Sequence, residues 1–171
     1  METHRLLKAF ICLSFISIVL TSCSSPTSTA PVSQSSQPLM EKLSVDDLAG
    51  RADLIVVGDA TDIHYDRNGN GDVKTLVRLS VTDVVKGTSV EELVIQVAGG
   101  QSGDVNVSVE DTPEFRLGER VVVFLRQVGA GAFTVVGGFQ GRFGIDESDM
   151  VSGNVPLTQF IDQITDIVAE Q

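Results

Sequence analysis

The feature that most constrains this chain is a long alternation beginning at Val73. Val73, Thr75, Val77, Leu79 and Val81 are interleaved with Lys74, Arg78, Ser80 and Thr82. Successive side chains of a strand point to opposite faces, so this pattern specifies a long, half-exposed β-strand. Shorter runs of the same kind surround it. Leu54-Ile55-Val56-Val57, within Asp53–Ile63, is a continuous apolar run suited to a strand buried on both sides. Leu93–Val97 is a third strand, and Val105, Val107 and Val109 alternate with Asp104, Asn106 and Ser108 as a short edge strand. Arg120–Arg126 encloses Val121-Val122-Val123-Phe124-Leu125, the most buried-looking strand. Phe133–Val136 and Arg142–Ile145 follow, joined by Gly137-Gly138-Phe139-Gln140-Gly141. All sixteen glycines fall between Gly50 and Gly153, where they punctuate the strands with turns.

A helix is expected at each end of this β-region. Ser44-Val45-Asp46-Asp47 reads as a helix N-cap followed by acidic residues in the first turn, with the helix running to about Arg51. Leu157, Phe160, Ile161, Ile164, Ile167 and Val168 recur at three- and four-residue steps, with Asp162, Gln163 and Asp166 opposite, which specifies an amphipathic helix lying on the sheet. The expected fold is mainly β: a small antiparallel barrel, closed or nearly so because closure removes exposed edges, with a short N-terminal helix and a C-terminal amphipathic one. Residues 40–171 are expected to form this single domain. The sequence's two cysteines, Cys12 and Cys23, both lie upstream of it, so it is no disulfide scaffold. A domain of this length buries roughly 65–70% of its unfolded-chain surface and needs no such staple.

The order of these segments carries a resemblance. Ala52-Asp53-Leu54-Ile55-Val56-Val57-Gly58 is followed by a long strand ending Val84-Val85-Lys86-Gly87, then by Phe115, Gly118-Glu119-Arg120 and Val121–Leu125. Over Ala52–Leu125 this resembles the netrin-like domain of tissue inhibitors of metalloproteinases and their bacterial relatives, which implies an OB-fold barrel. The shared motifs are structural and speak to fold rather than function. The inhibitors are knitted by disulfides and chelate the protease zinc through a free N-terminal cysteine. This chain departs on both counts, which excludes inhibition by that route.

Upstream of the domain the sequence reads as an address. Arg5 and Lys8 form a positive n-region, and Ala9–Leu20 is an apolar stretch of signal-peptide length. Leu20-Thr21-Ser22-Cys23 resembles the lipobox of bacterial lipoproteins at all four positions. The resemblance implies a signal peptide over residues 1–22, a diacylglyceryl group on Cys23, and a domain held outside the cytoplasm on the cell membrane or outer membrane. Two or three acyl chains at about 0.8 kcal/mol per buried CH₂ anchor stably where one would not. Residues 24–38 contain six Ser, two Thr and three Pro with nothing to build a core, so 23–39 reads as lipidated cysteine plus tether.

Charge narrows the partners. The precursor carries −11, and Glu2, Arg5 and Lys8 together contribute +1, so the chain from Cys23 carries −12. Such a surface repels phosphate backbones, which excludes a nucleic-acid role. The expected function is therefore a membrane-anchored binding module engaging an envelope or extracellular protein or glycan, through loops such as residues 61–73, 98–104 and 137–141. It is not expected to be an enzyme. The alternatives are a small envelope hydrolase using loop carboxylates, and a calcium-stabilised structural lipoprotein.

Few motifs carry chemistry. Asp66, Asn68, Asn70 and Asp72 occupy the first positions of a calcium loop, with Gly71 at the sixth. The pattern then fails, because Lys74 and Val77 stand where further oxygen ligands belong, and a polar hairpin turn is the expected structure. Gly138, Gly141 and Gly144 lie between strands and read as a turn. His64 is the only histidine after Cys23, so no histidine pair or cysteine–histidine pair can assemble in the domain. Asp111 with Glu114, and Asp146 with Glu147, are loop carboxylates for which solvation is the expected state. No catalytic residue and no cofactor is therefore assigned.

Overall fold

A computed structural model describes residues 41–67 and 71–171; Cys23, the lipobox and the tether lie outside them. The fold is mainly β. Helix α1 (Val45–Arg51) leads into strands β1 (Leu54–Arg67), β2 (Val73–Lys86) and β3 (Glu92–Ala98). A small hairpin of β4 (Gly100–Ser102) and β5 (Val105–Val107) precedes β6 (Arg120–Gly129) and β7 (Ala132–Val135). A 3₁₀ turn at Gly138–Gly141, strands β8 (Arg142–Ile145), β9 (Met150–Val151) and β10 (Val155–Pro156), and helix α2 (Leu157–Ala169) complete the chain.

Five strands pair in a circuit that returns to its start. β1 pairs antiparallel with β2 and also with β6, β2 with β3, and β6 with β7. The circuit is completed by β3 and β7, which run parallel over Val94–Ile95 and Ala132–Phe133. The expectation of wholly antiparallel strands is thus corrected at one pairing. A parallel pair requires a long crossover, and the 33 residues from Gly99 to Gly131 supply it by way of β4, β5 and β6. Strand β8 adds to the free side of β6, and β9 and β10 follow it.

Two cores result, one on each face of β1 and β6. Leu54, Val56, Val77, Leu79, Ile95, Val121, Val123 and Leu125 fill one. Ile55, Val57, Val122 and Phe124 face the other way and meet Leu48, Ala49, Phe160 and Ile164 of the two helices. This is why the apolar runs at Leu54–Val57 and Val121–Leu125 are continuous rather than alternating: both faces are buried. Helix α1 starts at Ser44, whose hydroxyl accepts from the Asp47 N–H while the Asp47 carboxylate accepts from the Ser44 N–H, a complete capping box. Helix α2 buries Phe160 and Ile164 and exposes Asp162, Gln163 and Asp166, as its stripe requires.

Strand β1 runs past Ile63 to Arg67, and a bulge lies within it. Ala60 pairs with Leu79 and Asp62 with Arg78, so Thr61 is an extra residue in the ladder. One extra residue exchanges the faces. Up to Ala60 the even positions point into the core; beyond the bulge Ile63 takes over, packing on that same core. Tyr65, two residues on, therefore falls on the same side as Ile63, at the end of the circuit. His64 lies inside β1 opposite Leu76.

Candidate functional site

The end of the circuit beyond the bulge holds a cleft of about 380 Å³, framed by β1, β2, the end of β3, the β4–β5 hairpin and residues 108–115. Its floor includes Ile63, Val97 and Phe115, all of which pack on the interior core. Its walls include Tyr65, Gln101, Asn106, Ser108, Val109 and Glu114.

Local geometry makes the cleft. Gly99 and Gly100 have φ of +83° and +129°, values that let the chain leave β3 and turn at once into β4. The turn is pinned from both sides: the Gly99 N–H donates to the Val73 carbonyl (3.0 Å), and the Thr75 hydroxyl donates to the Gly99 carbonyl (2.8 Å). A side chain at Gly100 would begin 2.6 Å from Cδ1 of Tyr65, so the tyrosine ring rests against bare backbone. The ring is nevertheless 49% exposed, and Val109 beside it in the cleft wall is 40% exposed. Large apolar groups left in water inside a concavity are the unusual observation, since scattered exposed leucines or valines need no explanation.

Hydrogen-bonding groups stand around this apolar patch. Gln101 and Asn106 are direct partners across β4–β5, and both are exposed. Among the described residues their side-chain amides, and the Ser108 hydroxyl, have no intramolecular partner, whereas Thr112 donates to the Val109 carbonyl (2.8 Å) and holds the following turn. No lysine or arginine lines the cleft among the described residues; its charged member is Glu114.

Of the segments expected to bind, 61–73 contributes Ile63 and Tyr65 to this cleft and 98–104 contributes residues 98–101. The third, 137–141, is elsewhere: it packs on the start of the domain, where Gln140 accepts from the Leu43 N–H (2.9 Å) and donates to the Glu41 carbonyl (2.9 Å). Residues 106–115 were not anticipated as part of the site. The available signal was Val107, Val109 and Phe115, apolar residues in a mostly polar stretch.

The remaining sequence candidates do not assemble a centre. Asp66 and Arg67 pair with Lys74 and Val73 as the closing rungs of the β1–β2 hairpin, while Asn68 and Asn70 lie outside the described residues. Among the described residues no group of three or more His, Cys, Asp or Glu is placed to hold a metal ion. His64 Nδ1 lies 3.2 Å from Asp62 Oδ2 on the exposed face. Asp146 is a turn residue, its Oδ1 accepting from the N–H groups of Ser148 (2.9 Å) and Met150 (3.0 Å). Glu147 and Asp111 are exposed, and Asp111, at φ +63°, takes a turn conformation that Asp tolerates. The Gly138–Gly144 segment is a 3₁₀ turn followed by β8.

A second hollow, lined by Arg116, Arg120 and Arg142, has the look of an anion site but its charges are largely neutralised. Arg120 pairs with Asp149 (2.6 Å) and Arg142 with Glu119. The atoms of the latter pair left without partners, Arg142 Nε and Glu119 Oε1, are the complementary halves of a two-pronged guanidinium–carboxylate fork. The Arg142 guanidinium also lies 5.4 Å from the centre of the Phe115 ring, which ties this pair to the cleft floor.

No protein-family model matches the chain, and no curated protein matches it. Among the described residues no helix is long and apolar enough to cross a membrane.

Proposed function

We propose that the protein is a lipid-anchored envelope lipoprotein whose domain is an OB-type barrel, and that it acts as a binding module through the Tyr65 cleft. The observation that carries the reading is a half-exposed tyrosine set against Gly100 in a concavity, with unpartnered amides and a hydroxyl around it. Few convergent polar groups over an apolar floor are the usual make-up of a ligand site. Support for the barrel is the five-strand circuit with β1 shared between β2 and β6, a pattern the netrin-like resemblance implies. In such barrels the open end and the loops between strands serve recognition. Support for the anchor is the Leu20–Cys23 lipobox and the fifteen-residue spacer behind it.

Co-sedimentation with purified cell-envelope material tests the reading. The domain 40–171 is suitable, because among the described residues both cores are built from residues 43–168. Binding by the domain that is lost in Tyr65→Ala, with the substituted domain still folded, supports a module. Hydrolysis of the envelope material that disappears in Glu114→Gln would instead assign an enzyme.

A further inference from the structure

The walls of the Tyr65 cleft are chemically selective, and we propose that its ligand is an uncharged saccharide, one sugar ring stacked on Tyr65. This assignment rests on the binding-module reading and names the ligand class for it.

Three observations point the same way. The first is the ring itself. Set against Gly100 along its Cδ1–Cε1 edge and half exposed, Tyr65 offers an apolar aromatic surface in the cleft. A sugar presents a face of C–H groups that such a surface covers. The second is the polar complement. Side-chain amides offer a donor and an acceptor in one plane, and a hydroxyl offers both. Gln101, Asn106 and Ser108 place such groups at the cleft without internal partners, which suits the paired hydroxyl and acetamido groups on a sugar edge. The third is charge. With Glu114 in the wall, no cation lining the cleft among the described residues, and −11 on the whole chain, anionic glycans and phosphate-bearing ligands are repelled. An unbranched peptide would be held chiefly through main-chain pairing with a strand edge, whereas the unpartnered groups offered here are side-chain amides and a hydroxyl. At about 380 Å³ the cleft also lies in the range of small-molecule sites.

The chain carries its own probe, because Tyr65 is its only tyrosine and it has no tryptophan. Tyrosine emission from the full-length protein in detergent therefore reports on this cleft alone. The titrants are tetramers of N-acetylglucosamine, glucose and galactose, with a polygalacturonate fragment as the anionic comparison and a Gly/Ser peptide as the other. The expected result is a saturable change in emission with at least one neutral tetramer and none with the two comparisons. Asn106→Ala, an exposed change that keeps the fluorophore, should weaken that response roughly tenfold, the loss of about one well-made hydrogen bond. Calorimetry on Tyr65→Ala should show the same tetramer no longer binding.

Silence with all three neutral tetramers overturns the saccharide assignment, as does a response to the peptide or polygalacturonate instead. If the domain still sediments with envelope material through Tyr65, the module reading stands and only the ligand class has failed. If it sediments with nothing, both fail together.

Discussion

Single residues in this protein show which polar contacts matter to stability. The capping box at Ser44 is one. The Asp47 carboxyl is held below the usual aspartate range, first by the Ser44 hydroxyl and then by the Ser44 N–H. A carboxyl with a lowered folded-state pKa stabilises the fold above its unfolded value, and that contribution is lost as pH falls through the folded one. Asp47→Asn is therefore expected to be less stable than wild type at neutral pH, with the gap closing below the ordinary aspartate range. Urea midpoints at several pH values check this; a gap independent of pH contradicts it. Ser44→Ala should cost about 1 kcal/mol through the lost cap. The Glu119–Arg142 pair is the other case. Its side chains retain 18% and 21% of their exposure, so each is mostly removed from water. Arg142→Leu alone should cost about 2–3 kcal/mol, below the value for a fully buried pair, by stranding the Glu119 charge. Glu119→Leu added to it should restore much of the loss. A double variant less stable than either single one would refute that account.

At the scale of elements, the sequence was legible where one physical rule acts alone. Ser44 announced α1, the Leu157–Val168 stripe announced α2, and the doubly buried runs of β1 and β6 could be read from their continuity. Three things were hidden. The bulge at Thr61 leaves no compositional mark, yet it sets which side chains face inward and brings Tyr65 to the cleft. Strand β1 beyond Ile63 is polar, so hydrophobicity could not reveal that it continues to Arg67. The parallel β3–β7 pairing is a long-range choice that no local pattern encodes. The cleft was legible in part: Ile63, Tyr65 and residues 98–101 fall within segments singled out from the sequence, while 106–115 was not anticipated, because a few apolar residues in a mostly polar stretch say little about what that stretch covers. Helix α2 yields a further prediction. Ile164 is fully buried against the outer faces of β1 and β6, which makes the helix part of the core. Ile164→Ala should cost about 2–5 kcal/mol with a single cooperative transition. A loss well under 1 kcal/mol would mean the helix is a detachable appendage.

For the whole molecule, the account joins an anchor, a spacer and a cleft. The anchor is tested by Cys23→Ala, which should move the protein from detergent-rich to aqueous phases and abolish incorporation of a palmitate analogue. Unchanged lipid incorporation would remove the tether from the account. A net charge of −11 disfavours association with phosphate-rich partners.

The central claim, that the end of the strand circuit around Tyr65 is the binding surface, is tested most directly by backbone NMR of residues 40–171 titrated with solubilised envelope fragments. The account predicts shifts gathered at Ile63–Tyr65, Thr75, Val97–Gln101 and Asn106–Phe115. Shifts confined to the outer face of α2 or to the arginine-lined hollow at Arg116 and Arg142 would contradict it.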